Sequence, residues 1–181
     1  MLHTMVVWTR RFNLYLALVA GLALLCGCQT LRHRQKGPVG ALRVHIQTNS
    51  NPLGTGQTIS VVRSDPVLVT IARNPILTEA NVVAAKVIDS PGGFAIEIQF
   101  DENGTWLLEQ YSAANPGGHF AVFGQWGDKL ANGRWLAAPL ITQRIANGVL
   151  SFTADCSRDE ADRLVLGLNN VAAKIRKGEL K

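Results

Sequence analysis

The sequence predicts an α+β domain, a mostly antiparallel sheet with two or three helices on one face. Three observations carry this. Phe94, Ile96, Ile98 and Phe100 alternate strictly with Ala95, Glu97 and Gln99, the period-2 pattern of a half-buried strand. Ala161, Leu164, Val165, Leu168, Ala172 and Ile175 recur at the spacing of one helix face. Other strand-like runs are short and bounded by Gly, Pro and Asn turn signals.

Taken in order, the folded part starts near Ala41. Leu42, Val44 and Ile46 alternate with Arg43, His45 and Gln47 as a strand. Asn49 to Gln57 is a turn, and its Gly54-Thr55-Gly56 lacks the further glycines and Lys-Ser/Thr ending of a phosphate loop. Thr58–Arg63 and Val67–Ala72 are strands split by Ser64-Asp65-Pro66. Thr78 suits an N-cap, with Glu79 favourable against the dipole, so a short helix is expected to about Lys86. Val82, Val83 and Ala85 would form its apolar face. Pro91-Gly92-Gly93 turns into the Phe94–Phe100 strand. Asp101 caps a helix over Glu102–Ala114, which puts Trp106 in the core, and Asn115-Pro116-Gly117-Gly118 ends it. His119–Gly124 and Trp135–Ile145 read as strands joined by a loop over Gln125–Arg134. Asn147-Gly148 predicts a tight hairpin between Leu140–Ile145 and Val149–Thr153. Ser157 and Glu160 form a capping box for the last helix, whose end carries Lys174, Arg176 and Lys177.

The start of the chain is of a different kind. Arg10 and Arg11 precede an apolar run from Phe12 to Leu25, broken only by Asn13. A run of about fourteen residues is the core of a signal peptide and too short for a bilayer span, which needs roughly 20. It ends in Leu25-Cys26-Gly27-Cys28, which resembles a bacterial lipobox. Cleavage before Cys28 would leave its thiol and amine for lipid. Cys26 stands where Ala or Ser is more usual. The expected organisation is therefore a signal over 1–27, a lipidated tether over 28–40 and a domain over 41–181. An ordinary secretory peptide and an uncleaved anchor are the alternatives. Gln29–Gly40 is polar and basic and reaches up to about 40 Å when extended. Its Arg32, Arg34 and Lys36 are placed to meet anionic headgroups or simply to stay solvated. Gln29, in place of the Asp that retains lipoproteins at the inner membrane of enteric bacteria, points to the outer membrane.

Removing the first 27 of 181 residues leaves 154, enough for one domain with its own core. That remainder carries 16 basic and 13 acidic residues, a net +3, too little to indicate nucleic acid as a partner. Cys156 is the cysteine left beyond Cys26 and Cys28, so no intramolecular disulfide is available to it, and it is expected to be a buried thiol.

The order of motifs from about Val67 to Leu168 resembles the head subdomain of the first extracytoplasmic region of SecD-type protein-export subunits. Leu77-Thr78-Glu79-Ala80-Asn81-Val82-Val83-Ala84-Ala85 looks like that family's Leu-Thr-acidic segment. Asp89–Ile98 and Glu102-Asn103-Gly104 look like its strand and Gly-containing helix start. Gly118–Val122 is similar to its Gly-x-x-Leu-Ala-Ile strand. Ala137–Ile141, Asn147-Gly148 and Ser157–Ala161 follow in the family's order. Those subunits have several membrane-spanning helices and this chain shows none after its signal, so no step through a membrane proton path carries over. The resemblance implies an extracytoplasmic module that contacts polypeptide, without catalytic residues.

Sites of chemistry are correspondingly thin. His45 and His119 fall on separate strands without acidic or histidine neighbours at ligand spacing, so no metal is expected. Gly-x-Ser-x-Gly and Ser-x-x-Lys are missing. No cofactor is expected. Trp126, in a Gly-rich loop, is either an exposed partner contact, with Phe123 and Trp135 beside it, or a staple that holds its own loop to the sheet. The expectation is a non-enzymatic, lipid-anchored periplasmic module that binds polypeptide or an envelope protein. A purely structural envelope lipoprotein and a periplasmic hydrolase are the alternatives.

Overall fold

Strand alternation builds most of the domain. In the computed structural model, residues 37–49, 56–64 and 66–180 are described. The signal, Cys28 and the tether through Lys36 lie outside the described residues. β1 (Ala41–Ile46) turns Leu42, Val44 and Ile46 into the main core. It runs antiparallel between β4 (Leu77–Thr78) and β7 (Phe120–Trp126), and β7 pairs in turn with β8 (Asn132–Ala137), giving the order β4-β1-β7-β8. A second sheet has the order β5-β6-β9, from β5 (Val82–Ser90), β6 (Gly93–Phe100) and β9 (Val149–Phe152). β2 (Gly56–Val61) and β3 (Val67–Ala72) form a separate two-stranded ribbon. All of these pairings are antiparallel.

Two α-helices close the core. α1 (Glu102–Ala114) starts where Asp101 Oδ1 accepts from Gly104 N at 2.6 Å. α2 (Arg158–Arg176) starts with the full capping box, Glu160 N donating to Ser157 Oγ and Ser157 N to Glu160 Oε2. α2 buries Ala161, Leu164, Leu168 and Ala172 of the expected stripe, together with Gly167 and Val171. It packs on β5, β7 and β1, so it ties the two larger sheets together. The α+β class and antiparallel pairing are as the sequence predicts, with the strands divided among three sheets. The end of the expected tether, Gly37–Gly40, lies against α2. Asn170 Nδ2 donates to Pro38 O at 3.0 Å, and buried Gly40 meets Gly167 at backbone distance.

The structure corrects three expectations. The helix to Lys86 is only a 3₁₀ turn over Glu79–Asn81, capped as expected by Thr78. The chain then extends as β5, because Val82 and Ala85 bury their side chains while the backbone pairs across the Pro91-Gly92 turn with the whole of β6. Asn147-Gly148 does turn the chain, with Gly148 at φ +68°, but Leu140–Ile145 and Val149–Thr153 form no hairpin. β9 pairs with β6 instead, Leu150 opposite Ile98 and Phe152 opposite Ile96. Third, Trp126 and Trp106 exchange environments. Trp126 ends β7 at 1 % exposure, and Trp106 on α1 is 54 % exposed.

Candidate functional site

The hairpin that does not form leaves a groove. Ala137–Ile141 continues along β7: Phe120 N donates to Pro139 O, Ile141 N to Gly118 O at 2.8 Å, and Gly117 N to Ile141 O. The next residues are pinned to α1, by Ile145 N donating to Ser112 Oγ at 2.9 Å and by the Arg144–Glu109 ion pair. β9 leaves in the other direction, toward β6. Gln99 Nε2 donates to the carbonyls of Asn147 and Gly148, and Asn147 Oδ1 accepts from Val149 N. Asp155 N donating to Leu136 O at 2.7 Å closes one end of the gap. Two cavities of 470 and 450 Å³ lie along it and share Pro139 and Ser151 as walls.

One wall is an unpaired strand edge. Phe100 N donates to Gly148 O, opposite it in the antiparallel ladder. Opposed residues alternate between bonded and non-bonded pairs, so Ile98–Leu150 and Ile96–Phe152 are the bonded ones. The N–H and C=O of Ser151, opposite Glu97, therefore point away from β6 and toward the groove. Leu140, 53 % exposed, supplies apolar surface on the facing wall. An extended polypeptide fits such chemistry, since it offers backbone donors and acceptors at the strand spacing and alternate side chains to the walls.

A sequence profile described as SecDF, P1 head subdomain, matches residues 56–175, more than half of the chain. The chain belongs to the SecDF P1 head subdomain family. The groove lies wholly within that match, whereas β1 and Gly37–Gly40 precede it. Among solved structures, one described as a membrane component SecDF that enhances protein export aligns with a TM-score of 0.51 at 20 % identity, over 74 % of this chain and 64 % of that one. SecDF in a super-membrane-facing form aligns at 0.45 and 15 % identity, over 88 % of this chain and 33 % of that one. SecDF from Thermus thermophilus, described as a translocon-associated membrane protein, aligns at 0.39 and 16 %, over 88 % and 34 %. The chain thus spans less than two thirds of these proteins, and at 20 % identity the likeness to the first is one of fold. No curated protein sequence matches. Among the described residues, no helix of this SecDF head is long and apolar enough to cross a membrane.

The aromatic residues singled out in the sequence divide between two faces of β7. Phe123 and Trp135 meet edge to face at 5.2 Å, both half-buried, and Trp135 makes a similar contact with His45 at 5.4 Å. Trp126 points the other way, into the main core, with the Arg134 guanidinium 5.1 Å over its ring. Arg134 also pairs with Glu160 of the capping box. The backbone N–H of Ser157 and the Arg134 charge hold the Glu160 carboxyl below its ordinary range. No local pattern announced this Trp–Arg–Glu stack, because its members lie on β7, β8 and α2.

The candidates for covalent or metal chemistry are occupied structurally. Burial, with Glu160 nearby, pushes the Cys156 thiol up to about 11, so the thiolate that nucleophilic work needs is scarce at neutral pH. His45 Nδ1 donates to Ala72 O at 2.8 Å, and His119 Nδ1 sits 2.8 Å from Gln47 Oε1. Among the described residues no three His, Cys, Asp or Glu side chains converge as a metal site would require.

Proposed function

We propose that this SecDF-head domain binds extended polypeptide by adding it as a strand to the free edge of β9, and that it does so without catalysis. The observation that carries the reading is the pair of outward backbone groups at Ser151, facing a groove whose other wall holds Leu140. The SecDF structure described as enhancing protein export supports a role beside exported chains. Cys28 would carry the lipid that holds the domain to a membrane outside the cytoplasm. The residue after it, Gln29, favours the outer membrane. Phe123 and Trp135 offer a half-buried aromatic contact beside the ribbon, a role that the buried Trp126 cannot share.

The test is binding of a fluorescent unfolded polypeptide to the full chain. Ser151→Pro removes the outward N–H without removing a ladder bond to β6, since proline is tolerated at strand edges. It is expected to weaken binding about tenfold, the worth of roughly one backbone hydrogen bond. Leu140→Ser is expected to weaken it too, and Leu68→Ser on the ribbon to leave it unchanged. Native affinity in both groove variants would exclude strand addition at β9. The anchor is tested separately by fatty-acid labelling, expected in the native chain and lost in Cys28→Ala.

A further inference from the structure

Three basic residues, Lys174, Arg176 and Lys177, gather at the C-terminal end of α2. Arg63, Lys86, Arg134, Arg144 and Arg158 each pair with a carboxylate. Among the described residues Lys174, Arg176 and Lys177 take part in none of these ion pairs, nor do Arg43, Arg73, Lys129 and Arg163, which lie singly along the chain. The helix end they occupy does not need them as hydrogen-bond donors. Lys177 N donates to Ala173 O, Gly178 N to Ile175 O and Glu179 N to Lys174 O, with Gly178 at φ +69°. Its last carbonyls are thus already satisfied by backbone. Leu180, three residues after Lys177 and next to Glu179, is 44 % exposed. Cations around an exposed leucine suit an anionic bilayer surface, where the charges meet headgroups and the leucine meets the acyl boundary.

The path of the chain points to the same occupant. The described chain enters on α2, where Asn170 holds Pro38 and a Cβ on Gly37 would lie 3.2 Å from Asn170 Nδ2. Lys174 is one turn beyond Asn170 on the same helix face, and Lys177 is one turn beyond that. Cys28 is at most about 32 Å of extended chain from Gly37, and the sequence between them contains Arg32, Arg34 and Lys36. We propose that the C-terminal end of α2, with Lys174, Arg176, Lys177 and Leu180, rests on the anionic lipid surface to which Cys28 is anchored. This rests on the lipid-anchor reading and adds an orientation to it. The groove beside β9 is then presented at a fixed attitude to the membrane.

The experiment uses the mature lipidated chain, purified from membranes and reconstituted on phosphatidylcholine vesicles with or without about a third phosphatidylglycerol. Leu180→Cys in a Cys156→Ala background reports accessibility to a bulky maleimide, and Leu68→Cys is the control. Labelling at position 180 is expected to slow about tenfold on anionic vesicles at low salt and to recover in 0.5 M salt, with position 68 unaffected. Lys174→Gln/Arg176→Gln/Lys177→Gln is expected to abolish the slowing while the protein still floats with the vesicles. Equal labelling of position 180 on both vesicle types would overturn the proposal. Failure to float on phosphatidylcholine would remove the anchor and overturn the proposal with it, whereas flotation with equal labelling on both vesicle types would overturn the orientation alone.

Discussion

Trp126 and Trp106 show how far a side chain's fate depends on what crosses above it. The Gly127-Asp128 signal after Trp126 suggested a loop. Gly124 in fact sits within β7, and a Cβ there would lie 2.6 Å from Leu136 Cδ1 and 3.0 Å from Leu164 Cδ2. The glycine admits α2 to the sheet, the strand runs on, and Trp126 ends up beneath Arg134. Trp126→Ala should therefore cost about 3–5 kcal/mol, while Trp106→Ala should stay within about 0.5 kcal/mol, both read as shifts of the urea midpoint. Cys156 permits a second test. With its thiol pushed up to about 11, alkylation by iodoacetamide should rise about tenfold per pH unit from pH 8 and level off above pH 11. Cys156 is half-buried rather than fully buried as the sequence predicts, and a plateau near pH 9, the value of an ordinary thiol, would show that this site does not raise it.

At the scale of elements, legibility followed the range of the interaction. β6 and α2 were readable because their patterns are complete within a few turns or residues: strict alternation in one, a capping box and apolar stripe in the other. Asp101 and Thr78 were readable as caps for the same reason, since a cap bonds within three residues. β5 was not, because Val82-Val83-Ala84-Ala85 satisfies either period, and its pairing with β6 decides between them. The 140–153 region failed similarly. Asn147-Gly148 announces a turn, yet only distant β6 and α1 determine what the flanking segments pair with, so the groove was invisible to local reasoning. The junction at α2 is equally non-local. Asn169 Oδ1 accepts from Ala85 N and its Nδ2 donates to Ala85 O, both at 2.9 Å, which satisfies the outer edge of β5. Asn169→Ala should cost about 1–3 kcal/mol by leaving those groups unpaired. At Gly167 an added Cβ would lie 2.4 Å from Gly40 N, so Gly167→Ala should destabilise by about 1–3 kcal/mol. It should also raise hydrogen exchange at Gly40. A neutral Gly167→Ala would mean that Gly37–Gly40 is not seated on α2 in solution.

For the whole molecule, the division into two apolar clusters predicts a hierarchy of opening. The main core joins the two larger sheets and both helices, whereas Ile59, Val61, Val69 and Ile71 of the ribbon share a small cluster with Ala121. Beyond that cluster, three contacts among the described residues tie the ribbon to the body. Thr48 N donates to Thr70 O, neutral His45 donates to Ala72 O, and Arg63 binds Asp155 through its backbone N–H and guanidinium. Two of these depend on pH in the same sense. Burial lowers the His45 pKa, with Arg43 adding to the effect, so the unfolded chain takes up the proton first. Its contribution is complete above the ordinary value of 6.5 and is lost as pH falls through the lower folded value. The Arg63 hydrogen bond lowers the Asp155 pKa, so that contribution is complete above the ordinary 3.8 and is lost at still lower pH. The ribbon should therefore loosen on acidification before the body does. Hydrogen exchange corrected for its intrinsic pH dependence should show amides of β2 and β3 losing protection below about pH 6.5, ahead of β6 and α2. Asp155→Asn should remove the step below the ordinary carboxylate range and leave the histidine step in place. Simultaneous loss of protection in β3 and β6 at every pH would show instead that the two clusters open as one unit.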